Sequence, residues 1–157
     1  MISFQKPTRE TLLPFLKMEL TPEQTEARLV APNAVTLAQA AYEPASEVYE
    51  IWDDEIPVGL IALWDPAHPD ADVEDGDDPD SLFLWRLFID KAHQRRGIGT
   101  KALDFCMKRA TEMNRPKLYT SAVEHPLSAQ PVYEKFGFQA TGRIIDDCEI
   151  ELVIDVT

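Results

Sequence analysis

Gln94-Arg95-Arg96-Gly97-Ile98-Gly99 is the stretch whose residue types and spacing could do chemistry. Two glycines one residue apart leave main-chain N–H groups uncovered by side chains, just where helical spacing of apolar residues begins. Uncovered amides at the positive end of a helix dipole form an anion site. Arg95 and Arg96 add charge that a pyrophosphate or a ribose phosphate can use. A plain glycine-containing turn with exposed arginines is one alternative. Dinucleotide binding is another, because Gly97-Ile98-Gly99-Thr100-Lys101-Ala102 matches G-x-G-x-x-A and Glu124 ends the next strand. That motif turns directly out of its strand, however, whereas residues 91–96 intervene here, and the N-terminal half lacks alternating strand–helix units. A Walker A loop fails, since no glycine stands four residues ahead of a Gly-Lys-Thr.

The loop needs a strand before it and a helix after it, and the sequence supplies both. Residues 81–90 (SLFLWRLFID) form the strongest strand signal. The helix of residues 97–112 carries Ile98, Ala102, Phe105, Cys106, Ala110 and Met113 at helical spacing, and Asn114-Arg115-Pro116 stops it. A strand at 117–124 and a helix at 127–136 follow, with Gly137 as its C-terminal glycine. Residues 138–143 and 149–155 close the chain as a hairpin around Asp146-Asp147. Upstream, a strand at 2–5 precedes a helical segment starting at Thr8, with Leu12, Leu13, Leu16 and Leu20 on one side. Pro14 should kink or restart it. Thr21-Pro22-Glu23-Gln24 is a cleaner helix start, with a capping threonine and a glutamine three residues on. Asn33 is expected to cap a helix over 34–42. Residues 47–52 and 58–64 read as strands joined by a turn, the second apolar enough to be covered on both faces.

Composition narrows the partners. Residues 1–157 suffice for one domain of mixed α/β (α+β) class, with no repeat or internal boundary. No apolar run approaches the roughly 18 residues that span a bilayer. The N-terminus lacks the regions of a signal peptide, so a cytoplasmic protein without membrane contact is expected. A formal net charge of -13 disfavours nucleic acid and suits a cationic partner, or simply solubility. Cys106 and Cys148 are read as two buried thiols, and His68, His93 and His125 are too scattered to suggest a metal. Residues 70–80 are rich in acid, but an EF-hand would need glycine and glutamate where Asp75 and Ser81 stand. A solvated, mobile loop is expected there.

Beyond the residues themselves, two motifs carry a resemblance. Gln94-Arg95-Arg96-Gly97-Ile98-Gly99 resembles the Q/R-x-x-G-x-G/A loop of the GNAT superfamily of N-acetyltransferases. Val132-Tyr133-Glu134-Lys135-Phe136-Gly137-Phe138 is similar to that superfamily's L-Y-x-K-x-G-F helix end. The pair, in order and each after a strand, is far more specific than either alone. Ala31-Pro32-Asn33-Ala34, residues 37–44, residues 85–91 and Thr120-Ser121 further resemble bacterial diamine (spermine/spermidine) N-acetyltransferases. Two features depart from the pattern: Pro126 stands where an asparagine is common, and residues 70–80 look like an insertion.

The resemblance implies a mixed central sheet of six to seven strands flanked by about four helices, often as a homodimer. It implies acetyl-CoA as cosubstrate and a small-molecule amine as acceptor. Gln94, Arg95, Arg96, Gly97, Ile98, Gly99 and Thr100 would hold the cofactor, with Lys135 beside it and the main chain of Leu87, Phe88 and Ile89 along the pantetheine. Transfer would be direct, with Tyr133 protonating the departing thiolate. An alkylammonium has a pKa of roughly 10.4, so a base must help. Glu124 is the first candidate, with Glu149 and Glu151 behind it. Trp52, Trp64 and Trp85 offer an aromatic wall or, for at least two of them, plain core. Rival readings are acetylation of another amine, or a non-catalytic acetyl-CoA- or nucleotide-binding regulator.

Overall fold

Residues 58–63 are buried without exception, as a strand covered on both faces requires. This strand lies inside a seven-stranded sheet in the computed structural model, which describes residues 1–156. The strands are β1 (Ile2–Gln5), β2 (Ser46–Asp53), β3 (Ile56–Trp64), β4 (Ser81–Ile89), β5 (Lys117–Val123), β6 (Gln139–Ile145) and β7 (Glu149–Asp155). They run in the order β1-β2-β3-β4-β5-β7-β6, and only β4 and β5 pair in parallel. The helices are α1 (Leu13–Leu16), α2 (Pro22–Glu26), α3 (Asn33–Ala40), α4 (Ile98–Glu112) and α5 (Gln130–Phe136).

Two apolar clusters sandwich the sheet. On one face Ile98, Ala102, Leu103, Cys106 and Ala110 of α4, with Tyr133 of α5, pack on Ile61, Leu63, Leu82 and Leu84. On the other, Phe15 of α1 meets Leu60 and Phe88, with Leu37 of α3 against them. Arg109 pins α4 to β2 through two bonds to Glu47, at 2.9 and 2.7 Å. Core packing from Ile98 to Ala110, with this pair in the last turn, holds the fifteen-residue α4 against the sheet.

Several local expectations are corrected. The helix expected from Thr8 is only a turn at that point, because Thr8 and Thr11 bond each other's hydroxyls and main chain instead. Helix proper begins at Leu13, with Pro14 in its first turn, where a missing donor costs nothing. Asn33 lies inside α3 rather than capping it, and its amide donates to Phe15 O at 2.9 Å, tying α1 to α3. Cys106 is buried but Cys148 is exposed. The acidic stretch 70–80 is anchored, not free. Arg143 donates to Asp77 (2.9 Å), to Glu151 (3.0 Å) and to the carbonyl of Asp75 (3.1 Å), while Arg115 reaches the carbonyl of Pro79 (2.9 Å).

Candidate active site

The pairing of β4 with β5 stops at Leu84 and Thr120. Immediately beyond, β4 bulges: Ala62 faces Arg86 and Leu63 faces Leu84, leaving Trp85 as the extra residue. A bulge bends its strand and shifts the side-chain alternation by one. Leu87 and Ile89 therefore join the α4 face with Leu82 and Leu84, whereas Phe88 turns to the α1 face and is buried there. The amide of Asp90 donates to Val58 O on β3. By alternation, the main chain of Leu87 and Ile89 points the other way, toward β5. There β5 has diverged, and an open cleft of about 650 Å³ takes its place.

The N-terminus of α4 forms one end of this cleft. Gly97 caps the helix with φ 78°, a left-handed conformation that favours glycine, and no side chain closes the first turn. Gly99 has no such internal reason to be glycine. Its φ is unremarkable, and a Cβ added to it would meet nothing within 4 Å outside its own helix turn. The space above it is room for something from outside, and uncapped amides suit an anion. Gln94, Arg95, Gly97, Ile98, Gly99 and Thr100 all line the cleft. Residues and space thus fit a pyrophosphate-bearing group.

The opposite wall is made of side chains. Tyr133 is 5% exposed, and burial pushes its phenol up to about 12, with the neighbouring Thr120 hydroxyl offsetting part of the effect. Glu149, on β7, accepts from Ser121 Oγ at 3.1 Å. Burial holds its carboxyl above the usual range and nearby Asp146 adds to the rise, while Ser121 and Arg86 oppose it. Arg86 is held by Thr36 at 3.0 Å and by Gln39, with its guanidinium 4.4 Å from the Trp85 ring centroid. The segment between α2 and α3, including Arg28 and Ala31, also borders the cleft.

Residues 13–138 match the Acetyltransferase (GNAT) family. The chain belongs to this family. It is 28% identical over 132 residues to the spermine/spermidine N(1)-acetyltransferase of Bacillus subtilis (strain 168), covering 81% of this chain and 82% of that protein. Solved structures agree in fold. The PaiA N-acetyltransferase of Thermoplasma acidophilum, in complex with coenzyme A, superposes with a TM-score of 0.70 at 13% identity over 99% of each chain. A GNAT family acetyltransferase from Elizabethkingia anophelis with acetyl-CoA bound gives 0.65 at 16% identity over 98% of this chain and 97% of that one. The chain is accordingly an acetyl-CoA-dependent N-acetyltransferase with the GNAT fold.

Within this GNAT frame the expected site residues divide. The cleft collects Leu87, Ile89, Tyr133 and the loop from Gln94 to Thr100 except Arg96. Arg96 turns aside to His93 (2.9 Å) and Asp53 (3.4 Å), and Phe88 is in the core. Lys135 and Glu124 are exposed and outside the cleft lining. Glu151 is likewise outside, engaged by Thr141 (2.9 Å) and Arg143. Of the three carboxylates considered, only Glu149 borders the cleft. Trp52 packs on Phe15 in the core, and of the tryptophans Trp85 alone lines the cleft. Pro126 lines it as well, and so does Cys148, whose neighbours in sequence had suggested no such place. Sequence reasoning missed Gln24, Arg28, Arg86 and Asp146. Arg86 had a signal, since a charge inside an otherwise apolar strand calls for an explanation.

Proposed function

We propose that this enzyme transfers the acetyl group of acetyl-CoA directly to a primary amine seated near Glu149, with polyamines such as spermidine or spermine as acceptors. The observation that carries the reading is the arrangement of one cleft: uncapped α4 amides at one end, and a half-buried carboxylate beside a buried phenol at the other. Acetyl-CoA supplies an activated thioester. The amides of the first turn of α4, with Arg95, would hold its pyrophosphate. The open main chain of Leu87 and the amide of Ile89 would align its pantetheine as a further edge strand does, the Ile89 carbonyl being taken by Gln94 Nε2.

The remaining work falls to two side chains. Glu149 accepts the proton of the incoming ammonium, and its raised pKa narrows the gap to an alkylammonium near 10.4. Tyr133 keeps its proton throughout the neutral range and holds it at the cleft wall, available to the leaving sulfur. The role first considered for Glu124 passes to Glu149 on position alone.

Polyamine acceptors are supported by the name of the Bacillus relative and by Asp146 beside Glu149, a local acidic pair at the cleft. The acidic stretch 70–80 contributes nothing here, because none of its residues lines the cleft. A second reading has its own observation. Arg86 borders the cleft with no carboxylate within 4.0 Å among the described residues, which suits an amine that also carries an anionic group. Acetyl-CoA turnover over a panel of spermidine, spermine, amino acids and amino sugars decides between them. Polyamines acetylated with the highest kcat/KM support the first reading. Amino acids preferred, with that preference lost in Arg86→Leu, establish the second.

A further inference from the structure

α2 is five residues long and buries none of them, so packing does not hold it over the cleft. Apolar anchors lie on either side of it, at Leu20 and Val30, both packed against the Phe15–Leu60–Phe88 cluster. Between them, one closed amide pair ties α2 to the cofactor loop. Gln24 Nε2 donates to Gln94 Oε1 at 3.0 Å, and Gln94 Nε2 donates back to Gln24 Oε1 at 2.9 Å. Both amides are bonded further. Gln24 Oε1 also accepts from the Thr21 amide at 3.1 Å, and Gln94 Nε2 also donates to Ile89 O at 3.1 Å. A continuous hydrogen-bonded chain therefore runs from the cap of α2, through both glutamines, to the end of β4.

The neighbouring contacts do not duplicate this link. Glu19 bonds Asp90 and Lys91, but it reaches the end of β4 and not the glycine loop. The Glu19–Lys91 pair is exposed, where such pairs contribute little. Beyond α2, Arg28, Leu29, Val30 and Ala31 form part of the cleft wall. Whatever fixes residues 94–100 thus bears on α2, and α2 on that wall.

We infer that Gln24 is a positioning residue that couples cofactor seating to the order of the acceptor-side wall. The inference rests on the cofactor reading given above. A ligand held by the α4 amides fixes the loop that starts at Gln94; the amide pair then fixes α2 and residues 28–31. Coupling of this kind is reciprocal, so an acceptor resting on that wall favours the cofactor by the same factor.

Hydrogen exchange of the full chain, with and without coenzyme A, reads the link without any acceptor. In the wild type, coenzyme A should slow exchange in both residues 94–100 and residues 20–31. Two hydrogen bonds of ordinary net strength correspond to about thirtyfold in the second segment. Gln24→Ala should keep the slowing at 94–100 and lose most of the slowing at 20–31. Thr21→Ala, which removes the cap but leaves the pair, should speed exchange of α2 in both states and preserve the ratio between them. Retention of the full coenzyme-A-dependent ratio at 20–31 in Gln24→Ala overturns the coupling. So does its loss in Thr21→Ala, since the effect would then be α2 stability alone. Absence of slowing at 94–100 in the wild type would instead sink the cofactor reading, and the coupling with it.

Discussion

The two ends of the cleft are built from different materials. At the α4 end the groups open to a ligand are main chain: amides behind Gly97, and the edge of β4 at Leu87, beyond which Gln94 caps the Ile89 carbonyl. At the β7 end they are side chains, Tyr133, Glu149, Asp146 and Arg86, drawn from four elements or turns. A main-chain site holds a ligand by shape and dipole, so it is harmed mainly by adding volume. A side-chain site moves protons, so removing single atoms harms it while the fold and the cofactor site stay intact. The contrast with α2 sharpens the point. Its amides are closed by its own Thr21 and Gln24, whereas those of α4 are left open by glycine.

Tyr133→Phe tests that division with the largest expected effect. It keeps the ring packing against Phe138 and removes only the proton, so turnover should fall about a hundredfold or more. Acetyl-CoA affinity should hardly change. Near-normal turnover would assign the leaving thiolate's proton to water.

Glu149→Gln should lower kcat by about tenfold to a hundredfold and also change the pH profile. The working form is the carboxylate, and its pKa is raised, so wild-type kcat/KM should climb with pH through a value above the ordinary carboxylate range. The substitution should remove that limb. Survival of the limb would place the base elsewhere.

Asp146→Asn should act more gently. Asp146 raises the Glu149 pKa, so its removal should move the same limb to lower pH. It should also raise KM for spermidine by a few-fold and flatten its salt dependence. The Debye length falls from about 10 Å at 0.1 M to about 3 Å at 1 M, which weakens any steering by exposed charge. A limb that does not move would mean that the two carboxylates do not interact.

Much of this was legible in the residues, and unevenly so. The strands were readable because alternation and apolar runs are local properties, as at β3 and β4. The α4 end was readable for the same reason, being contiguous from Gln94 to Thr100. The acceptor end was not, because bringing Arg86, Tyr133 and Glu149 to one cleft depends on the β4 bulge and the β5–β7 pairing. No local signal distinguishes Glu149 from Glu151. They lie on one strand, and their different surroundings decide that one borders the cleft while the other meets Arg143. Glu124 looked well placed at a strand end, but β5 stops at Val123 and its carboxylate is exposed. Gln24 was legible as half of a capping box, but its bond to Gln94 spans seventy residues of sequence.

We place acetyl-CoA at the main-chain end of the cleft, on the amides behind Gly97. Calorimetry of acetyl-CoA with the wild type and with Gly99→Val tests it most directly. The Cβ of a valine here meets nothing within 4 Å outside its own helix turn, and valine is a somewhat better helix former than glycine, so the variant should fold. It should fill only the space that the ligand needs. Affinity reduced at least tenfold in a folded variant, with unchanged thermal stability, is the predicted result. Unchanged acetyl-CoA affinity in that folded protein would mean that the cofactor sits elsewhere.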